Sequence, residues 1–209
     1  MPNDNYHKEE IHIRVKRRHD SFIKMVNNVP GAVFQRTISA DGTWKYPFMS
    51  AGVKDLYGIS AQCFLEDGSV TRAVTHPDDW EWFAELVARA GRELTPVMTE
   101  FRILRPNGEI RWLRHRSSPR PGPDGGMVWD CYESDITARR DAEVALEENT
   151  IQLRTILDSA LDAIIAADED GRIVLFNKCA ESIFQYSENE LLNRNVSVLM
   201  TPEDAGARR

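Results

Sequence analysis

The chain has 209 residues, of which 42% are hydrophobic and 28% charged, the ordinary balance of a globular protein. Its 26 basic and 33 acidic residues leave a net charge of −7, which argues against nucleic acid as the main partner. No apolar run approaches the roughly 18 residues of a membrane span, and the polar start Met1-Pro2-Asn3-Asp4 lacks the apolar stretch of a secretory signal. Cys63, Cys131 and Cys179 are too widely spaced for a disulfide framework or a metal knuckle, so a reducing cytoplasm is the expected location.

In chain order, residues 8–28 are predicted to form a helix, which Pro30-Gly31 ends. Ala32–Ile38 and Trp44–Met49 flank Ala40-Asp41-Gly42 and are predicted to form a hairpin. Short helices are expected near 51–58 and 61–66. Thr75-His76-Pro77-Asp78-Asp79 then starts a longer helix, with proline in its first turn and two acids at the positive end of the helix dipole. That helix should close at Gly91. Glu100–Arg105 and Glu109–Ser117 flank the turn Pro106-Asn107-Gly108, Pro119–Gly126 reads as a loop, and Met127–Ser134 is the last strand of the series. Two hairpins separated by helices point to an α+β fold, an antiparallel sheet with helices on one face.

From Asp135 a long helix is predicted to about Ala160, its first N–H groups capped by Asp135 or Thr137. Leu146, Leu153 and Ala160 recur by sevens, as do Ala142, Asn149 and Ile156. Together they form an a/d seam for pairing with a second copy, in which Asn149 would fix register; Leu157 offers a competing stripe. Beyond Leu161 the first pattern returns. Asp41-Gly42, a strand to Ser50 and Leu56-Tyr57-Gly58-Ile59-Ser60 reappear as Asp170-Gly171, a strand to Asn177 and Ile183-Phe184-Gln185-Tyr186-Ser187. A repeat this long indicates tandem domains, not a solenoid.

The motifs His76-Pro77-Asp78-Asp79, Phe101 through Trp112 and Asp135-Ile136-Thr137, in this order, resemble the PAS family of sensory domains. The resemblance implies an N-terminal extension over 1–20 and a PAS domain with its C-terminal extension over 21–137. A signalling helix over 138–160 and the front half of a second PAS domain over 161–209 would follow. It further implies a five-stranded sheet, a small-molecule ligand or none in the first domain, and signal relay through Asp135, Ile136 and Thr137 to a dimeric helix. The effector, a histidine kinase or a cyclic-dinucleotide enzyme, would lie outside this chain. The two strands of the second copy lack later partners, so residues 161–209 are expected to pack loosely, to be swapped between chains, or to be covered by a neighbour.

Trp112, Trp129 and Phe101 are the candidate pocket residues, set against simple core packing. A covalent flavin is not expected, because Cys63 lies in Ser60-Ala61-Gln62-Cys63-Phe64 and not in a Gly-x-Asn-Cys-Arg-Phe run. Haem is not expected either, since no histidine follows His115. A calcium loop with Gly171 sixth would place Ala166 first and Asn177 twelfth, where acids are required, so no metal is assigned. The arginines of 100–120 read as a solvated sheet face or a surface for an acidic partner. Phosphate loops, nucleophile elbows and dinucleotide fingerprints are absent from the sequence, so a signal-input module is the first reading. A ligand-free dimerisation module is the alternative, and an enzyme the distant one.

Overall fold

The computed structural model describes Arg14 and residues 16–18, 20–122 and 125–200; the first part of the helix expected over 8–28 lies outside them. Two compact units divide the chain, Met1–Arg140 and Asp141–Arg209.

In the first unit the hairpin β1 (Ala32–Ile38) and β2 (Trp44–Met49) forms where alternation placed it. Short helices α1 (Val53–Tyr57), α2 (Ala61–Glu66) and α3 (Val70–Val74) lead to α4 (Pro77–Glu93). Then come β3 (Val97–Leu104), β4 (Ile110–Pro121) and β5 (Met127–Asp135). The sheet order is β2-β1-β5-β4-β3, antiparallel throughout. Alternation sends Ala32, Phe34, Phe101, Ile103, Leu113, Trp129 and Cys131 to one face, where they pack with Val53, Leu56, Phe64, Phe83 and Val87 of the helices. The fold is α+β, a five-stranded antiparallel sheet with its helices gathered on one face.

The structure departs from the sequence reading in several places. The α4 helix passes through Gly91 to Glu93, and Leu94 takes the left-handed cap at φ 55°. Gly91 is glycine because it lies under Trp129: a Cβ there would sit 3.2 Å from the indole. The strand β4 runs on through Pro119 to Pro121, inside the expected loop. Beyond Ser117 it has β5 on one side only, and such an open edge tolerates residues without an N–H. The α3 helix was not foreseen, being a single turn that periodicity cannot resolve.

The helix α5 (Thr137–Ser159) starts in the first unit and continues into the second. The second unit adds β6 (Ile165–Ala167), β7 (Ile173–Phe176), α6 (Lys178–Phe184), α7 (Glu188–Leu191) and a 3-10 turn at Val196–Leu199. Ile173, Phe176, Ala180 and Leu191 form its own buried core.

The repeat is visible atom by atom. Ser50 N donates to Val33 O at 2.8 Å while its hydroxyl accepts from Val33 N at 2.9 Å. Asn177 and Ile164 repeat that exchange at 3.1 and 2.8 Å. Gly58 and Gln185 both close their helices in the left-handed conformation, and Ser60 and Ser187 are both N-caps. The second hairpin is the shorter one, with strands of three and four residues against seven and six.

Candidate functional site

Two places in the first unit collect chemistry. One is the inner face of the sheet. Glu133 of β5 is buried there, its Oε1 2.8 Å from His115 Nδ1 and its Oε2 accepting from the Tyr57 hydroxyl at 2.7 Å. His115 Nε2 lies 2.9 Å from Ser117 Oγ. An ionised carboxylate only accepts, so this geometry puts the imidazole proton on Nδ1 and lets Nε2 accept from Ser117. Burial lowers the His115 pKa below its usual value, against the opposing pull of Glu133. Burial, reinforced by Glu133, raises the Tyr57 phenol well above its usual value. Cys131 is pushed up to about 12, chiefly by burial, so it stays a protonated thiol at neutral pH.

Aromatic rings enclose this cluster. Phe83 and Phe101 stack at 4.6 Å, and His115 meets the Phe83 ring edge-on at 5.3 Å. Phe101 and Trp129 thus face the core. Trp112 does not; it lies half-buried on the opposite face, 4.7 Å below the Arg140 guanidinium and 5.7 Å from that of Arg102. Sequence reasoning passed over Arg36, which is 1% exposed and stacked 4.2 Å over the Trp44 ring. The signal was there in β1, where Ala32, Phe34 and Arg36 share one phase of the alternation.

The second place is the start of α5. Ile136 N donates to Trp112 O at 2.9 Å, and the Thr137 hydroxyl accepts from Trp112 N at 3.0 Å. Asp135 Oδ1 accepts from Thr137 N at 2.8 Å, while its Oδ2 pairs with Arg111 at 3.0 Å. Of the two capping residues the sequence allowed, Asp135 holds the helix N–H, and Thr137 is turned back to the sheet. Glu100 on β3 adds a second tie, bridging Arg114 at 2.8 Å and Arg140 at 2.6 Å. Hydrogen bonds from Arg114 and Arg140 hold its carboxyl below the usual range. The arginines of 100–120 are largely paired within the unit: Arg102 with Asp79 at 2.6 Å, Arg105 with Glu109 at 2.6 Å, Arg111 with Glu109 at 2.7 Å.

Farther along α5, Ala142, Leu146, Asn149, Leu153 and Ile156 are exposed and Ala160 is half-buried. Leu146 at 69%, Leu153 at 58% and Ile156 at 65% make an apolar stripe. Leu157, the competing position, is half-buried, and its carbonyl accepts from Asn177 Nδ2 at 2.8 Å. Arg154 grips Glu188 with both guanidinium nitrogens at 2.7 and 2.6 Å.

Two family profiles described as PAS fold match residues 46–131 and residues 151–209. The chain belongs to the PAS family. The first PAS match contains Phe101, Trp112, His115 and Trp129, and the second begins inside α5 and takes in the second unit from residue 151 on. The sensor protein FixL of Bradyrhizobium diazoefficiens is 29% identical over 137 residues, covering 61% of this chain and 26% of that protein. Sporulation kinase E of Bacillus subtilis is 42% identical over 62 residues, 30% of this chain and 8% of the kinase. The cell-division control histidine kinase PdhS of Brucella abortus is 35% identical over 75 residues, 35% of this chain and 7% of the kinase. The chain thus spans about a quarter or less of the curated relatives it matches. Among solved structures, an RNA-binding light-oxygen-voltage receptor superposes with a TM-score of 0.51 at 17% identity, over 63% of this chain and 36% of that one. That likeness shows the PAS fold. These PAS domains are related to those of sensor histidine kinases, and signal sensing is the role they share. Among the described residues, no helix is long and apolar enough to cross a membrane.

Proposed function

We propose that this chain is the signal-input portion of a cytoplasmic signalling protein, with a histidine kinase or cyclic-dinucleotide enzyme as its effector outside residues 1–209. In this reading 21–137 is the sensing PAS domain behind an extension over 1–20. Residues 138–160 are the signalling helix, and 161–209 are the front half of a second PAS domain. A ligand or partner alters the core around Phe101 and Trp129, and the change reaches α5 through Asp135, Ile136 and Thr137. Ala142, Leu146, Asn149, Leu153, Ile156 and Ala160 then carry it along a dimer seam. A two-state element of this kind is what any sensor requires.

One observation carries the reading. The Trp112 backbone accepts from Ile136 N at 2.9 Å and donates to the Thr137 hydroxyl at 3.0 Å, so a displacement of β4 moves the first turn of α5. A ligand-free dimerisation module is the second reading, favoured by the exposed Leu146, Leu153 and Ile156. Native mass spectrometry of the purified protein at several concentrations separates the two. A dimer carrying a small molecule supports ligand sensing, and a dimer without added mass supports dimerisation alone. A monomer at every concentration overturns the seam.

A further inference from the structure

Among the described residues, Arg36 is buried without an ion pair. It is 1% exposed, and its Nε and Nη2 find no hydrogen-bond acceptor among them. The Nε1 of Trp129, opposite Arg36 in the β1–β5 register and fully buried, has none either. The guanidinium lies 4.2 Å over the Trp44 ring and 5.5 Å from that of Trp129, so orphan donors from both residues share one neighbourhood. Glu133, the buried carboxylate of the same core, cannot serve. It pairs in register with Ala32, four residues along β1 from Arg36, and both its oxygens are already engaged by His115 and Tyr57.

We propose that the core of the first unit binds a small monocarboxylate, its oxygens accepting from Arg36 Nε and Nη2 and from Trp129 Nε1. This deepens the ligand-sensor reading above and rests on it. The chemistry selects the ligand class. Two donor nitrogens on a guanidinium and one on an indole call for an acceptor-only partner, and charge-assisted bonds to a carboxylate are the strongest a guanidinium makes. A neutral acceptor makes weaker bonds to a guanidinium than a carboxylate does, and a dianion would add a second charge to bury. The close packing of Gly91 against Trp129, where a Cβ would approach to 3.2 Å, restricts the ligand to a short acid. Trp44 also walls an open crevice of about 410 Å³ together with Trp80 and Arg72, so one ring separates solvent from the Arg36 guanidinium stacked on it.

The test is a tryptophan-fluorescence titration of the 209-residue chain with sodium acetate, at ionic strength held by sodium sulfate, with acetamide as the neutral isostere. A saturable change with acetate and none with acetamide is expected. Arg36→Met should weaken acetate binding about tenfold or more, as loss of a charged hydrogen-bond donor does. Arg36→Lys keeps the charge in a folded protein, as judged by circular dichroism, but loses the side-on fork, and should also weaken it. Equal responses to acetate and acetamide, or wild-type affinity in both variants, overturn the proposal. If acetate gives no response while native mass spectrometry finds another molecule bound, the anion assignment fails and the sensor reading stands. If neither finds a ligand, both fall, and the dimerisation reading remains.

Discussion

Glu100 Oε2 holds Arg140, in the first turn of α5, at 2.6 Å, and Oε1 of the same carboxylate holds Arg114 of β4 at 2.8 Å. One side chain on β3 thus ties the outgoing helix to two strands. Arg140 also lies 4.7 Å over Trp112, whose backbone bonds Ile136 and Thr137, so the helix start is fixed by two independent sets of contacts.

Glu100→Gln should loosen that start without unfolding the unit. The pair is partly exposed, so the expected loss is about 0.5–1 kcal/mol. Hydrogen exchange at Arg140, whose N–H bonds Ile136 O at 3.0 Å, should quicken while exchange in β5 stays unchanged. Unaltered protection at Arg140 would remove Glu100 from the relay.

Tyr57→Phe deletes the donor to Glu133 Oε2 inside the core. A buried acceptor left unpaired costs about 1–3 kcal/mol, more when it is charged. The urea midpoint of the first unit should fall accordingly. No loss would mean that water or another donor replaces the phenol.

Asn177→Ala should destabilise the second unit alone. The side chain accepts from Ile164 N at 2.8 Å and Ala180 N at 3.0 Å, and donates to Leu157 O at 2.8 Å and Asp162 O at 3.1 Å. Losing a cap and stranding buried partners costs about 2–4 kcal/mol in total. Thermal unfolding should show an early transition for the second unit, with the first unit's transition in place. A single shifted transition would mean that the two units unfold together.

Acid should weaken the first unit progressively. Burial alone would raise the Asp79 carboxyl, but the Arg102 side chain and backbone N–H override it and hold it below its usual value. Arg114 and Arg140 do the same for Glu100. Stability from these depressed carboxylates is present above their unfolded values near ~4 and is lost as pH falls through the folded ones. His115 acts in the same direction from a higher start, since below about 6.5 the unfolded chain binds a proton that the buried imidazole resists. Urea midpoints should decline as pH falls below about 6.5 and more steeply below about 4, and Asp79→Asn should flatten that last part. A midpoint that rises on acidification would contradict this assignment.

Leu153→Glu places a charge on the exposed stripe of α5, where Leu153 is 58% exposed in the single chain. On the proposed dimer seam it should leave the fold intact and raise the dissociation constant about tenfold or more, read by sedimentation at several concentrations. An unchanged constant would put the interface elsewhere.

Elements whose cause is local were legible in the sequence. The alternation of Ala32–Ile38 and Trp44–Met49 was enough to place both strands to the residue, because a period of two with a turn between allows little else. The cap at His76, with Pro77 and two acids, located the start of α4, and the repeat of Ser50–Ser60 in Asn177–Ser187 located the second unit. These are short-range effects of backbone and side chain, written in neighbouring residues.

Tertiary structure decided whatever depends on strands far apart in the chain. Gly91 looked like a helix end and is a contact with Trp129, 38 residues on, while Trp112 looked like a pocket residue and faces the other way, beneath Arg140. The Glu133–His115–Tyr57 cluster and the orphan donors of Arg36 and Trp129 exist only once β1, β4, β5 and α1 meet. Periodicity states which face a side chain takes; which side chains it then meets is set by strand order and register, and a single sequence does not carry those.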